Sequence, residues 1–300
     1  MNERKTFRIK WKNGTIELGQ RTLVMGVLNV TPDSFSDGGK FLDVKRAVAQ
    51  AMAMERDGAD MLDIGAESTR PGSEGISAAE ELARLLPVLE ALRGKVKIPI
   101  SVDTQKAAVA ELAIGAGATM INDVSGLRHD SRMAKVAATH RVPLILMHIR
   151  GTPLTMQKLP FAKNVVKDVV SGLQKSVELA RKTGVAKSQI IVDPGIGFGK
   201  SFEQNFELLA KLPEIAKMGY PILVGTSRKG FLGKALARNG KTPPTEERIW
   251  GTAATVAASI LGGAHIVRLH DVREMAQVAR VSDCILNRSS KARLSSIGGM

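Results

Sequence analysis

The stretch PISVDTQKAAVAELAIGAGATMINDV, Pro99 to Val124, holds one complete repeat of the chain's architecture. An apolar run, Pro99–Val102, stops at Asp103, a helical pattern follows in TQKAAVAEL, and a second apolar run begins at Met120. Short apolar runs without alternation suit strands buried on both faces, and a helix between two of them suits a parallel pair.

Outward from this unit the pattern recurs in both directions. Strand-like runs stand at Leu23–Val30, Met61–Gly65, Pro99–Val102, Met120–Val124, Pro143–Met147, Ile190–Val192, Ile222–Val224 and His265–Leu269. Helical patterns follow them, the last at Val272–Leu286. Ser77 and Glu80 are spaced as a capping box, and NVVKDVVSGLQKSVELARKTG closes on Gly184, just past its last helical turn. Eight strand–helix units predict an α/β chain folded as a (β/α)8 barrel. A doubly wound sheet would use fewer strands and a glycine-rich phosphate loop after the first, and GVLNVTPDSF has no such loop. Upstream, FRIKWKNGTIEL (Phe7–Leu18) alternates around Asn13-Gly14 and predicts a β-hairpin. The domain reading is a single barrel over residues 1–287, with the hairpin at 7–18 and a basic, flexible tail at 288–300.

The 300-residue chain, 44% hydrophobic, has enough apolar content for a large core. It has no apolar run near the ~18 residues of a membrane span, and MNERKTFRIKWKNG lacks a signal core, so a cytoplasmic protein with no membrane partner is expected. A single cysteine excludes internal disulfides and multi-cysteine metal sites; Cys284, inside VARVSDCILN, reads as a packing residue. The net charge of +14 admits nucleic acid or small anions as partners. Lys and Arg are scattered, without a basic helix face, so no nucleic-acid partner is expected and the charge reads as a field for small anionic substrates.

Catalytic groups of such a barrel gather where the strands end. The first run ends in Asn29 and a long polar loop, the second leads into GAESTRPGSEG, the third ends in Asp103, and the fourth in Asn122 and Asp123. The fifth ends in Met147-His148, the sixth in Asp193 before PGIGFGK, the seventh in GTSRKGF and the eighth in RLHD. Each has an ordinary explanation: Asp103 as a helix cap, Asn122 as an amide satisfied by backbone, Asp193 before Pro194 as a turn former, His270 as a cap or core imidazole. Together they would carry a heavy desolvation cost unless a polar ligand or one another satisfied them. His129, His140 and His265 stand away from strand ends and read as structural; His148 is open to either reading.

The strings MGVLNVTPDSFSDGG, DIGAESTRPG, ISVDT, INDVSG, DPGIGFGK, SRKGF and RLHDV occur here in the order and spacing of the dihydropteroate synthases, which this chain resembles from about Leu23 to Asn287. The resemblance implies a transferase that joins p-aminobenzoate to 6-hydroxymethyl-7,8-dihydropterin pyrophosphate, releasing pyrophosphate. It implies that Asp103, Asn122 and Asp193 read the pterin edge, that Lys229 donates to the ring, that Arg268 stacks on it, and that Met147 lines the pocket. Pyrophosphate would meet Asn29, Thr69, Arg268 and His270, with Asn29 an oxygen ligand of Mg2+, the implied cofactor. The aminobenzoate slot would comprise Phe35, Thr69, Arg70, Pro71 and Phe198, with its carboxylate at the helix start near Ser227, Arg228 and Gly230. Gly230 departs from the serine of many relatives and loses a hydroxyl there. The implied chemistry is dissociative, with Asp37 facing the developing cation beneath closing TPDSFSDGG and STRPG loops, and Lys229, Arg268 and His270 completing the catalytic set. Small-molecule partners and a homodimer are implied as well. A methyltetrahydrofolate:corrinoid methyltransferase would share the pterin readers but needs neither the closing loops nor a pyrophosphate pocket.

Overall fold

The computed structural model describes residues 4–12, 14–31, 39–158 and 161–289. Strands β1 (Phe7–Trp11) and β2 (Gly14–Leu18) form the antiparallel hairpin, in register from Phe7 opposite Leu18 to Trp11 opposite Gly14. Asn13, at its turn, lies outside the described residues.

The parallel strands are β3 (Leu23–Asn29), β4 (Met61–Gly65), β5 (Ile100–Asp103), β6 (Met120–Asp123), β7 (Leu144–Met147), β8 (Ile190–Asp193), β9 (Leu223–Val224) and β10 (Ile266–Leu269). Their order around the sheet is β8-β7-β6-β5-β4-β3-β10-β9. The ring closes through a single parallel bridge, Val192 to Ile222, beside a bond of 2.9 Å from the Val192 N–H to the Pro221 carbonyl. Helices α1 (Gly39–Arg56), α2 (Ala78–Leu92), α3 (Ala107–Ala116), α4 (Met133–His140) and α5 (Val165–Lys182) alternate with the strands. Then α6 (Phe202–Ala210) and α7 (Leu212–Ala216) share the connection to β9, α8 (Gly230–Ala235) and α9 (Ile249–Leu261) the connection to β10, and α10 (Val272–Ser289) follows. The barrel and hairpin stand as the sequence predicts. The tail beyond Ser289 lies outside the described residues, and no described helix is long and apolar enough to cross a membrane.

Period-two alternation divides every strand between two environments. Outward residues such as Leu62, Val102, Ile121, Leu146 and Val192 join the helices' apolar faces in the main core. Inward residues Leu23, Met25, Met61, Met120, Ile145, Ile191, Leu223 and Ile266 fill the lower barrel, and Ile9 and Leu18 of the hairpin pack beneath them. The hairpin thereby covers the N-terminal end of the barrel. Arg4 fastens it: the guanidinium donates to the Ala264 carbonyl and Thr22 Oγ1, each at 2.8 Å, and to Asp283 Oδ1 at 3.0 Å. His265 sits at the same end, its Nδ1 accepting from the Ile222 N–H at 3.1 Å and its Nε2 facing the Lys5 carbonyl at 3.0 Å. Cys284 departs from expectation: it lies exposed on α10, because Asp283 and Ser282 occupy the inward positions of that turn.

Candidate active site

One step up each strand, the inward positions turn polar. Asp63 replaces the apolar residue on β4, Asp103 ends β5, Asn122 stands on β6, Asp193 ends β8 and Arg268 lies on β10. Arg268 is the hub: its Nε donates to Asp63 Oδ2 at 2.6 Å and its terminal nitrogen to Asp103 Oδ2 at 2.7 Å. Asn122 Nδ2 also donates to Asp63 Oδ2, at 2.9 Å. The other oxygens of these groups, Asp63 Oδ1, Asp103 Oδ1 and Asn122 Oδ1, are buried and have no partner. Buried acceptors left open carry a desolvation cost that a donor-bearing ligand would remove. Gly65, level with Asp103 in the register, leaves space for that carboxylate: a Cβ there would lie 3.3 Å from the Asp103 Cβ.

The opposite wall carries Asp193, Lys229, Phe198 and Met147. Asp193 Oδ1 accepts from the Gly195 N–H at 2.7 Å, so the residue both shapes its turn and faces the mouth. Gly195 is required there: its φ is +65° and a Cβ would collide with the His148 carbonyl. Lys229 Nζ sits 4.6 Å above the Phe198 ring and donates to the Ile196 carbonyl. Met147 forms an apolar wall with Val124, Ile149 and Met156, against which Phe198 packs.

Burial dominates the electrostatics. It lifts Asp103 above the usual carboxylate range, opposed by Arg268, and lifts Asp193, opposed by Lys229. Burial lowers Lys229 to about 8, with Asp193 pulling it back. Arg268 moves the other way, because Asp63 and Asp103 outweigh its desolvation. His270 is held down to about 4, first by burial and then by Arg268, so it is neutral. Its Nδ1 lies 3.0 Å from Ser227 Oγ.

The remaining predicted residues lie around the rim. Arg228, in a left-handed conformation with φ +59°, directs its guanidinium to Asp271. Gly230 opens α8, and a Cβ there would meet nothing within 4 Å. Thr69 is half-buried, Arg70 and Pro71 are exposed, and Asn29 is half-buried where β3 ends. Phe35 and Asp37 lie outside the described residues, as does most of the loop that carries them. Of the ordinary explanations, capping fails for Asp103: the first N–H of α3 is instead met by Asp130 Oδ2 at 3.1 Å. His129 and His140 stand away from the mouth: one is exposed beyond β6, and the other ends α4, 3.8 Å from Glu111.

Two groups escape a reading based on strand ends. Asp63 lies in mid-strand, yet it shares its face with Met61 and Gly65, so alternation alone would have turned it inward. Lys200, the last residue of the quoted DPGIGFGK, is buried and donates to the His148 and Gly195 carbonyls, each at 2.8 Å, with His148 Nδ1 at 3.0 Å. It ties the ends of β7 and β8 together. His148, left open by the sequence, serves this tie: its other ring nitrogen lies 3.5 Å from Asp168 of α5.

An acid–amide–arginine network above an apolar barrel floor defines a pterin-binding barrel, and the chain belongs to the family described as pterin binding enzyme, matched over residues 25–270. Within it the chain belongs with the dihydropteroate synthases. It is 51% identical to the dihydropteroate synthase of Synechocystis sp., over 89% of this chain and 91% of that protein. A Clostridium difficile dihydropteroate synthase structure, in the presence of pteroic acid, is 45% identical with a TM-score of 0.83, over 89% of this chain and 98% of that one. The Xanthomonas albilineans enzyme with 4-aminobenzoic acid is 39% identical with a TM-score of 0.86, over 94% and 98% of the two chains. These relationships do not favour the corrinoid methyltransferase alternative.

Proposed function

We propose that this chain condenses 6-hydroxymethyl-7,8-dihydropterin pyrophosphate with p-aminobenzoate, forming 7,8-dihydropteroate and pyrophosphate. The observation that carries this reading is the set of unpartnered acceptors, Asp63 Oδ1, Asp103 Oδ1 and Asn122 Oδ1, gathered around Arg268. A flat heterocycle with an amino group and ring N–H groups supplies the missing donors. Asp193, on the facing wall, takes part in the same edge, Lys229 donates to ring acceptors, and Arg268 offers a planar face for stacking. Met147 and its neighbours close the apolar side of the pocket.

The carbon–oxygen bond breaks first, leaving a cationic methylene beside the ring. Arg268 on β10 and neutral His270 just beyond it hold the departing diphosphate: the guanidinium brings charge and the imidazole an N–H. Low dielectric around the buried carboxylates strengthens their stabilisation of the electron-poor carbon. Phe198, Thr69, Arg70 and Pro71, with Phe35, form the aminobenzoate slot, Asp37 serves the cation, and the start of α8 at Gly230 takes the carboxylate, with Ser227 and Arg228 beside it. Mg2+ fits this donor set only as a guest of the substrate. Among the described residues no group of three or more His, Cys, Asp or Glu forms a metal cage; Asn29, half-buried where β3 ends, would offer the ion one oxygen, with phosphate and water completing its shell. When bound, Mg2+ supplies neutralisation of the leaving diphosphate.

Asp193→Asn tests the recognition edge: pterin pyrophosphate binding, measured by calorimetry, is expected to be lost, and unchanged affinity would refute the assignment. Pyrophosphate release, with and without p-aminobenzoate, tests the reaction. The protein is further proposed to be a homodimer joined through α9 and its neighbour α10. Trp250 is 79% exposed there, with Val281 and Ile285 one turn apart on α10. Trp250→Glu should shift the sedimenting species to a monomer.

A further inference from the structure

The loop between β4 and α2 is fastened by a buried ion cluster that the reaction itself does not use. Glu67 Oε1 accepts from Lys106 Nζ at 2.9 Å and from the Ile76 N–H at 2.8 Å, while its Oε2 accepts from Gln105 Nε2 at 3.3 Å. Lys106 Nζ also donates to Glu81 Oε2 at 2.7 Å. Glu81 is fully buried on α2, and Glu67 and Lys106 keep side-chain exposures of only 5% and 15%. One carboxylate thus grips both ends of residues 68–75, since Glu67 precedes them and Ile76 follows them.

Within that excursion the backbone is braced again. The Ser73 hydroxyl lies 2.7 Å from both the Ser68 and Arg70 carbonyls, its one proton shared between them, and the Gly72 N–H donates to the Pro153 carbonyl beyond β7 at 3.0 Å. Two buried acids sharing one lysine form a costly arrangement for stability alone, where an apolar filling would serve as well or better. Its geometric product is a fixed base at both ends of the excursion, from which Thr69, Arg70 and Pro71 can close over the barrel.

We propose that Glu67 and Lys106 are positioning residues for the aromatic amine, holding the Thr69–Pro71 segment where it lines the aminobenzoate slot. This rests on the reading, made above, that those three residues wall that slot. Neither side chain hydrogen-bonds to the pterin network or to Arg268, and the pair reaches the first substrate only indirectly, through Thr69 and through the field of Glu81 at Asp103, so its larger effect falls on the second substrate.

The test compares the wild-type enzyme with Glu67→Gln, Lys106→Met and the double variant. Steady-state kinetics are combined with calorimetric pterin pyrophosphate binding and with hydrogen exchange of the 68–76 peptide. The KM for p-aminobenzoate should rise about tenfold in each single variant, since small misplacements near a reacting centre cost one to two orders of magnitude. Affinity for pterin pyrophosphate should change several-fold less than the KM for p-aminobenzoate, since only Thr69 of the held segment also faces that substrate. Exchange across 68–76 should accelerate, and the double variant should be no worse than either single one, as expected of residues acting as one unit. If Lys106→Met does not fold, Glu67→Gln carries the test, being isosteric and keeping the Lys106–Glu81 pair. Unchanged exchange would show that the cluster does not fasten the loop and would overturn the proposal. Faster exchange with an unchanged KM would instead remove Thr69–Pro71 from the amine slot, overturning the proposal through its premise. Absence of pyrophosphate release by the wild type would identify failure of the functional reading itself.

Discussion

Asp63 decides how the rest of the site is held. Its Oδ2 accepts from both Arg268 and Asn122, so it orients two pterin-facing groups while keeping one oxygen open. Asp63→Asn should weaken pterin pyrophosphate binding by about ten- to a hundredfold, because the ion pair that orients Arg268 is reduced to a bond with one charged partner and the amide adds a donor where two already converge. Calorimetric titration of the folded variant reads this directly. His265 carries a different signature. Burial holds its pKa down to about 4, and its Nδ1 lone pair is engaged by the Ile222 N–H. The unfolded chain takes up a proton near the ordinary pKa of about 6.5, while the folded chain does not until about 4. Its contribution to stability is therefore complete above pH 6.5 and declines as pH falls through that window. Urea unfolding at several pH values should show this slope, and His265→Gln should reduce it by about one proton, the remainder being carried by His148 and His270, whose pKa values burial also lowers.

At the level of elements, seven of the eight predicted runs match strands closely because their apolar character is local. The eighth, Ile222–Val224, shrinks to the two residues of β9, since Ile222 spends its pairing on the bridge to Val192. Asp103, Asn122, Asp193 and Arg268 were legible because polar residues closing apolar runs are conspicuous. Asp63 and Lys200 were not, because one is hidden inside a buried strand and the other's partners come from a different strand end. The Arg4 anchor was invisible for the same reason: its partner Asp283 lies 279 positions away. Arg4→Ala leaves a largely buried carboxylate hydrogen-bonded to Thr22, with Arg21 as a more distant charge, and should cost about 3–5 kcal/mol in urea unfolding. Turnover well below the melting temperature should be unaffected, since the anchor lies at the far end of the barrel from Arg268.

For the whole molecule, the net charge of +14 sets the long-range behaviour. A cationic protein gathers a polyanionic substrate, so the association rate for pterin pyrophosphate should fall as ionic strength rises and the Debye length shrinks from about 10 Å at 0.1 M toward about 3 Å at 1 M. Stopped-flow binding across a salt series would measure it. The hairpin beneath the barrel has a further consequence. With Ile9 and Leu18 seated under the lower layer, the barrel is sealed at that end, and entry from below is closed. Whatever takes the lowest seat should come in ahead of its companion. The two reactants therefore queue, the fused-ring partner ahead of the amine, and a non-reactive analogue of the latter should compete only with the amine and gain grip once the former is in place.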